Sequence, residues 1–333
     1  MPLSDYSQRF LPQIESQIKT VVEAAGIDQD DSLRQMISYH LGWTGPDAGP
    51  KAHGKRIRPL ILLLAAEAVG GDFHPALPAA AAVEILHNFS LIHDDIEDNS
   101  ETRRGRETLW RIHGIPLALN AGDAMFSLAF LAIGDLPHPA EIRLQATHIF
   151  NTACLELTKG QHLDISFESQ DSVTTRQYLR MIRGKTAALL AACLELGALL
   201  GGASKELQQT YHMLGINVGL AFQVHDDILG IWGDASAIGK STATDLLTRK
   251  KTLPILYGLE QKGKFSAMWQ EEITPENVAA LADQLEVEGA LAYARQIAAG
   301  FTSEATELLS ATPQSAAGDA LAELIAALIQ REA

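Results

Sequence analysis

The sequence predicts an all-α protein, and three observations carry that prediction. Apolar residues recur at three- and four-residue spacing through most of the chain, glycines and prolines punctuate the runs, and no stretch alternates long enough to make a trustworthy strand. With 333 residues, 47% hydrophobic and 20% charged, the chain can bury a sizeable core. Nothing in it resembles a linker, so a single helical domain over residues 1–333 is expected.

Charge and cysteine content narrow the function classes. Acidic residues outnumber basic ones 41 to 26, a net charge of −15, which argues against nucleic acid or an anionic membrane surface as the main partner. Anions would have to be held by local cation clusters or by metal. Cys154 and Cys193 lie in apolar helical contexts and read as core thiols of a reducing compartment. The N-terminus has no apolar leader pattern, and the apolar runs look broken before membrane-spanning length, so a cytoplasmic protein without an integral membrane segment is expected.

In chain order, residues 5–25 form a first helix with Phe10, Ile14, Ile18, Val21 and Val22 on one face. Residues 32–41 form a short second one. The loop GWTGPDAGPKAHG then ends on Lys55, Arg56 and Arg58, where cations and free backbone N–H groups converge at a helix start. That is either a diphosphate cradle or a solvated basic loop. After Gly70-Gly71, a long helix from Pro78 turns from core residues to HNFSLIHDDIED. Asp94 and Asp98 fall one turn apart on one side, with Asp95 between them. Their repulsion calls for a cation, and Mg²⁺ is the natural one, because it takes one or two carboxylates plus substrate phosphates.

A polar loop follows with Arg103 and Arg104, then helices over 116–136 and 139–159. Gln161 and Asp164 lie near the end of the second, as a site or an ordinary helix end. A helix over 174–199 places Lys185-Thr186 in an Ala/Leu-rich run, where the lysine needs a partner or ligand, or reaches solvent. The next helix repeats the earlier pattern: QVHDD, with Asp226 and Asp227 and with Gln223 one turn before Asp226, echoes LIHDD. Each pair follows a strongly apolar run, which puts it at the edge of the core and not on an outer face. A second basic region, Lys240 and Arg249 to Lys251, precedes shorter helices with breaks at Gly263, Pro275, Gly300 and Pro313.

Seven motifs in this order resemble the trans-isoprenyl diphosphate synthases, or polyprenyl synthetases: GKRIRP at 54–59, HNFSLIHDDIED at 87–98, RRG at 103–105, GKT at 184–186, FQVHDDILG at 222–230, GK at 239–240 and KKTLP at 250–254. The resemblance covers nearly the whole chain. It implies an all-α fold in which the two Asp motifs face each other across a cavity, and a Mg²⁺-dependent transfer involving three ions with bound diphosphate. Asp94, Asp98 and Asp226 would be metal ligands, with Asp95 and Asp227 as further ones. Arg103, Lys185, Thr186, Gln223 and Lys240 would hold the allylic diphosphate, and Lys55, Arg58, His87 and Arg104 the isopentenyl diphosphate. The catalytic set would be Asp94, Asp98, Arg103, Lys185, Asp226 and Lys240. A homodimer is implied by the family alone.

The sequence departs from the pattern in three places. Gly230 stands where the second Asp motif usually has a third acid, His53 replaces the first of two glycines before Lys55, and Ala243 and Leu247 replace a Gly and an Arg around Asp245. The last pair puts in doubt a phosphate role for that loop beyond Lys240, leaving Lys250 and Lys251. Phe89 lies about 7.5 Å below Asp94 along a helix. In the family such an aromatic floors the cavity at C15 to C20 products, with Ser90 and Phe126 able to alter the floor. Geranylgeranyl diphosphate is the expected product and farnesyl diphosphate the alternative. A terpene cyclase on the same fold would need no second diphosphate site, and a non-catalytic synthase subunit would tolerate Gly230.

Overall fold

The computed structural model describes residues 1–28, 31–233 and 243–329. In order these hold α1 (Leu3–Ala24), α2 (Ser32–His40), α3 (Pro50–His53), α4 (Ile57–Ala68) and, after a 3₁₀ turn at His74–Ala76, α5 (Leu77–Glu97). Then come β1 (Thr102–Arg103), β2 (Arg106–Glu107), α6 (Leu109–His113), α7 (Ile115–Gly134), α8 (Ala140–Glu168) and α9 (Thr175–Ile182). A π-helical turn, Arg183–Ala187, leads into α10 (Ala188–Leu200) and α11 (Lys205–Trp232). The remaining helices are α12 (Thr244–Leu247), α13 (Leu253–Gln261), α14 (Lys264–Met268), α15 (Val278–Val287), α16 (Ala290–Ser310) and α17 (Ala316–Ile329). The all-α expectation holds among the described residues, with one two-residue hairpin, in which Thr102 opposes Glu107 and Arg103 opposes Arg106.

The helices gather into two compact units. One takes the described parts of Met1–Cys154, Ala192–Gln209 and Pro313–Leu321, and the other those of Leu155–Ala191, Thr210–Thr312 and Ala322–Ala333.

In the first unit, α4 and α5 supply the centre. Leu62, Leu63, Leu64 and the run Ala79 to Val83 have no exposed surface. Burying one leucine there is worth about 1.5–3 kcal/mol. Small residues on α5 permit close approach, and α7 packs along its length while α1 covers α4 and α5. This corrects one expectation. His74–Glu97 and Ile115–Gly134 are long and apolar enough to cross a membrane by length and composition. Of the most apolar window of each, 67% and 44% respectively is buried in the protein, as befits core helices packed on each other.

The second unit is packed around two clusters. Tyr178, Met181, Ile182, Ile216, Leu220 and Val224 meet Leu253, Leu256 and Ala294 in one, and Leu246, Ile255, Phe265, Leu281 and Leu285 form the other. Gly215 and Gly219, one turn apart on α11, let that helix lie against the backbone of Ala191 and Ala187, where a Cβ at either position would collide. That close approach brings Gln223 to Thr186, and with it the second Asp pair beside the GKT segment. The helix expected over 174–199 is interrupted there. A Thr174 capping box starts α9, and the π turn carries Lys185 and Thr186.

Candidate active site

Each Asp pair has one member presented to solvent and one committed inward. On α5, Asp94 is partly exposed and Asp98, the helix C-cap, is exposed, while Asp95 is 3% exposed. Arg103 grips Asp95, its Nε lying 2.8 and 2.9 Å from the two carboxylate oxygens and a second nitrogen 2.7 Å from Oδ1. Burial raises the Asp95 pKa, and the bonds and charge of Arg103 oppose the rise. The hairpin after α5 folds back to make this pair: Arg104 is left-handed, with φ of 54°, and Gly105 follows at 77°.

Two turns before Asp94, His87 faces Arg58, Arg104, Arg103 and Arg56. Burial first, and then those charges in that order, hold it well below the ordinary histidine range, so the imidazole is neutral. Arg104 donates to the Ala52 carbonyl at 2.9 Å and lies over Gly54, where a Cβ would sit 2.7 Å from its guanidinium carbon. Lys55 is exposed at the start of α4, and Arg58 has a buried Nε without a partner among the described residues. Arg56 differs from these. It is 5% exposed, bonded to Glu84 at 2.8 Å and to Glu15 at 3.1 and 3.3 Å. It also adopts a left-handed φ of 49° as α4 begins. A neutral histidine among arginines, only some of them paired to carboxylates, suits an anion.

Below Asp94 runs a line of rings. Phe89 lies 5.1 Å from Phe126, Phe126 lies 4.8 Å from Phe130, and Phe130 meets Phe150 edge-on at 5.3 Å. Ser90 turns its hydroxyl to the His87 carbonyl at 2.8 Å. His93 packs over Gly122 of α7, where a Cβ would overlap the ring.

In the second unit, Asp226 is exposed and Asp227 is 3% exposed. Asp227 accepts from the Tyr178 hydroxyl, from Gln223 Nε2 at 3.0 Å and from the Leu253 backbone N–H at 3.1 Å. Burial pushes its pKa up to about 7 against those three bonds, and the charge of Asp245 adds to the rise. Gln223 also accepts from the Thr186 hydroxyl at 2.7 Å, and Lys185 meets Asp164 at 2.5 Å. The partly exposed lysine in that apolar run thus has its partner, three residues after Gln161 on α8. Gly160 and Gly184 make this possible, because α8 and the π turn touch backbone to backbone, a Cβ on Gly160 coming 2.7 Å from the Lys185 Cα.

Two members of the second basic region are engaged by backbone carbonyls. Lys251 donates to the carbonyls of Phe167 at 2.6 Å, Glu168 at 3.3 Å and Gln170, closing the C-terminal end of α8. Lysine–carbonyl bonding leaves that ammonium no phosphate duty. Arg249 stacks on Trp269 at 5.0 Å and donates to the carbonyls of Trp269 and Glu271. Lys240 lies outside the described residues. Tyr178 and Glu84 enter the site beyond the sequence-derived set, and Asp164, left open between a site and a helix end, enters it as the partner of Lys185. Glu84 carried a signal, as a lone acid in AAAAVEILHNF, whereas Tyr178 on an amphipathic helix carried none.

The donors fit a hard cation. Asp94, Asp98 and Asp226 offer carboxylate oxygens on partly or fully exposed side chains. Among the described residues no group of three or more His, Cys, Asp or Glu is arranged to hold a metal by itself. Mg²⁺ takes one or two carboxylates of this kind and completes its shell with waters and substrate phosphates.

The polyprenyl synthetase family model matches residues 47–286, a span that holds both Asp pairs, the arginine cluster and the Lys185 turn. The chain belongs to the polyprenyl synthetase family. It is a trans-prenyl diphosphate synthase, a transferase acting on isoprenyl diphosphates. The synthase is 42% identical over 278 residues to a (2E,6E)-farnesyl diphosphate synthase of Mycobacterium tuberculosis, covering 80% of this chain and 76% of the relative. Its structure is similar to the geranylgeranyl pyrophosphate synthetase of Pyrococcus horikoshii, with a TM-score of 0.90 and 33% identity over 99% of this chain and 98% of that one. A polyprenyl synthase of Caulobacter crescentus, solved with calcium and isoprenyl diphosphate, matches with a TM-score of 0.82 and 27% identity over 99% and 98% of the two chains. These relatives support a short-chain prenyl synthase and leave the product length open.

Proposed function

We propose that the synthase condenses an allylic diphosphate with isopentenyl diphosphate in a Mg²⁺-dependent reaction and releases geranylgeranyl diphosphate. The observation that carries this reading is the arrangement on α5: presented carboxylates at Asp94 and Asp98, and two turns earlier a neutral His87 among arginines. One helix thus offers a metal-dependent anion site and a metal-free one, which is what a reaction between two diphosphates requires. Mg²⁺, as three ions held by Asp94, Asp98 and Asp226 with Asp95 and Asp227 behind them, would supply neutralisation of the leaving pyrophosphate.

The protein groups do the rest. Lys185, kept in place by Asp164, and Thr186, fixed by Gln223, are assigned to the allylic diphosphate with Arg103 and Lys240. Lys55, Arg58, His87 and Arg104 are assigned to isopentenyl diphosphate. Charges placed in advance stabilise the anion that develops as the allylic C–O bond breaks. The isopentenyl double bond attacks C1 of the allylic cation, and a proton leaves to the released pyrophosphate. No protein nucleophile takes part.

Phe89 and Phe126, in ring contact at 5.1 Å, support a C20 limit. Farnesyl diphosphate is the second reading, favoured by the 42% identical relative. A cytoplasmic homodimer of one synthetase domain is part of the proposal, and Leu131 and Leu144, 58% and 71% exposed, suit a covered apolar face. Purified protein is incubated with Mg²⁺, isopentenyl diphosphate and C5, C10 or C15 starters, and the products are sized. Geranylgeranyl diphosphate from all three is expected. Cyclic hydrocarbon without isopentenyl incorporation would mark a cyclase, and inactivity with every starter a non-catalytic subunit.

A further inference from the structure

The hairpin after α5 carries three arginines, and each holds a different element. Arg103 takes the Asp95 carboxylate and Arg104 the Ala52 carbonyl. Arg106 has no part in the site described above. It is 8% exposed, although Gly105 and Glu107 on either side of it are exposed. A buried guanidinium must find partners, and these come from the end of α2 and the loop after it. Its two terminal nitrogens donate to the Tyr39 carbonyl at 2.9 Å and to the Thr44 carbonyl at 2.7 Å, and its guanidinium carbon stands 3.9 Å from the centre of the Tyr39 ring. Tyr39 returns the contact, its hydroxyl donating to the Glu107 carbonyl at 2.9 Å. Gly45, with φ of 86°, lets the loop close over this clasp, because a Cβ there would lie 2.8 Å from the Tyr39 ring and 2.9 Å from the Arg106 guanidinium.

What the clasp holds is the turn before it. Arg104 has a left-handed φ of 54°, which a residue with a side chain keeps only where its surroundings over-determine it. Gly105 follows at 77° and offers no resistance of its own. Beyond the turn, Arg106 is fixed to α2, and the Thr108 N–H closes the hairpin on the Glu101 carbonyl at 3.0 Å. Arg103, directly opposite Arg106 in the hairpin, is secured separately by a carboxylate. Arg104 leans on a neutral carbonyl. Releasing the clasp therefore frees Arg104 first.

We infer that Arg106, clasped by Tyr39, is a positioning residue for isopentenyl diphosphate: it fixes the left-handed turn that aims Arg104, and it touches no substrate itself. The inference rests on the proposed reading of Arg104 as a ligand of isopentenyl diphosphate. The three arginines then divide the work of the hairpin, two toward the diphosphates and one back into the fold. Only a guanidinium serves at 106, because its planar fork reaches two carbonyls while its face lies on the ring, which a lysine ammonium cannot do.

The test is steady-state kinetics on the full chain, with melting temperatures to identify the variants that fold. Arg106→Met keeps the apolar stem and loses the guanidinium. It should raise KM for isopentenyl diphosphate on the order of tenfold, while kcat and KM for the allylic diphosphate move by less than about threefold. Arg106→Lys should fall between Arg106→Met and wild type. A merely structural role would lower the amount of folded enzyme, which reduces apparent kcat and leaves both KM values in place. Tyr39→Leu removes the ring without changing any charge and should raise the same KM, so it carries the test even if Arg106→Met folds poorly. Arg104→Met is the control, and adding Arg106→Met to it should raise the isopentenyl KM little further, because the one acts through the other. If Arg104→Met raises that KM and a folded Arg106→Met or Tyr39→Leu does not, the positioning role alone is overturned, as it is by full additivity with Arg104→Met or by an equal rise in both KM values. An unchanged isopentenyl KM in Arg104→Met would overturn the reading of the anion site, and the inference with it.

Discussion

Arg103 closes on Asp95 with Nε 2.8 and 2.9 Å from the two carboxylate oxygens, so the middle acid of the first motif is already spoken for. Asp94 and Asp98 are the presented acids. Asp94→Asn and Asp98→Asn should therefore lower kcat at least tenfold further than Asp95→Asn does, under saturating Mg²⁺ and both substrates. Equal losses at all three positions would show that the Arg103 pair opens during turnover.

The Arg56–Glu84 pair is a stability element under the anion site. Their side chains are 4% and 3% exposed, and Glu84 also accepts from Asn88 at 2.9 Å. Glu84→Ala should cost about 3–5 kcal/mol, because a buried guanidinium loses its main counter-charge. Urea denaturation reads this, and Glu84→Gln should lose less because it keeps a hydrogen-bond acceptor. A loss below about 1 kcal/mol in the alanine variant would mean that Glu15 alone suffices for Arg56.

Product length should respond to the ring line in steps. Phe89→Ala should add one isoprene unit to the longest product, since Phe126 stands behind it, and Phe89→Ala with Phe126→Ala should add more. Chromatography of dephosphorylated products measures both. An unchanged distribution in the double variant removes the rings from the length limit.

His40 gives the fold a pH dependence. Burial foremost, then the charges of Arg104, Arg103 and Arg56, lowers its pKa from 6.5 to about 3. A group whose folded pKa is depressed binds its proton more readily in the unfolded chain, so its stabilising effect is full above pH 6.5 and is lost as pH falls toward 3. The slope from this one group is at most about 1.4 kcal/mol per pH unit. Urea midpoints between pH 7 and pH 4.5 should fall less steeply in His40→Gln than in wild type. Parallel slopes would show that His40 does not carry the effect.

Much of the site was legible because its carriers sit on helices with fixed periodicity. LIHDD and QVHDD each follow an apolar run, and the structure places one presented and one buried acid in each. Which acid faces inward was not legible, since that depends on Arg103 from a hairpin and Tyr178 from α9, brought in by tertiary packing. The π turn escaped for a related reason: Lys185-Thr186 sits in a run that reads as continuous α-helix, and the Gly160–Gly184 contact beside the change of winding is tertiary. The role of Lys251 was not legible, because a basic residue within the run Arg249 to Lys251 gives no sign that the end of α8 needs a cap.

The π turn also sets a limit on how this protein can be improved. A π turn holds one residue more than the α-helix it interrupts, and such insertions sacrifice regular winding for side-chain placement. Deleting a residue from Arg183–Ala187 would regularise the helix, yet it would rotate everything before the turn relative to everything after it. Lys185 would leave Asp164, and Thr186 would leave Gln223. The irregular turn is therefore a place where the register of two side-chain contacts, and not regular winding, dictates the length of the chain.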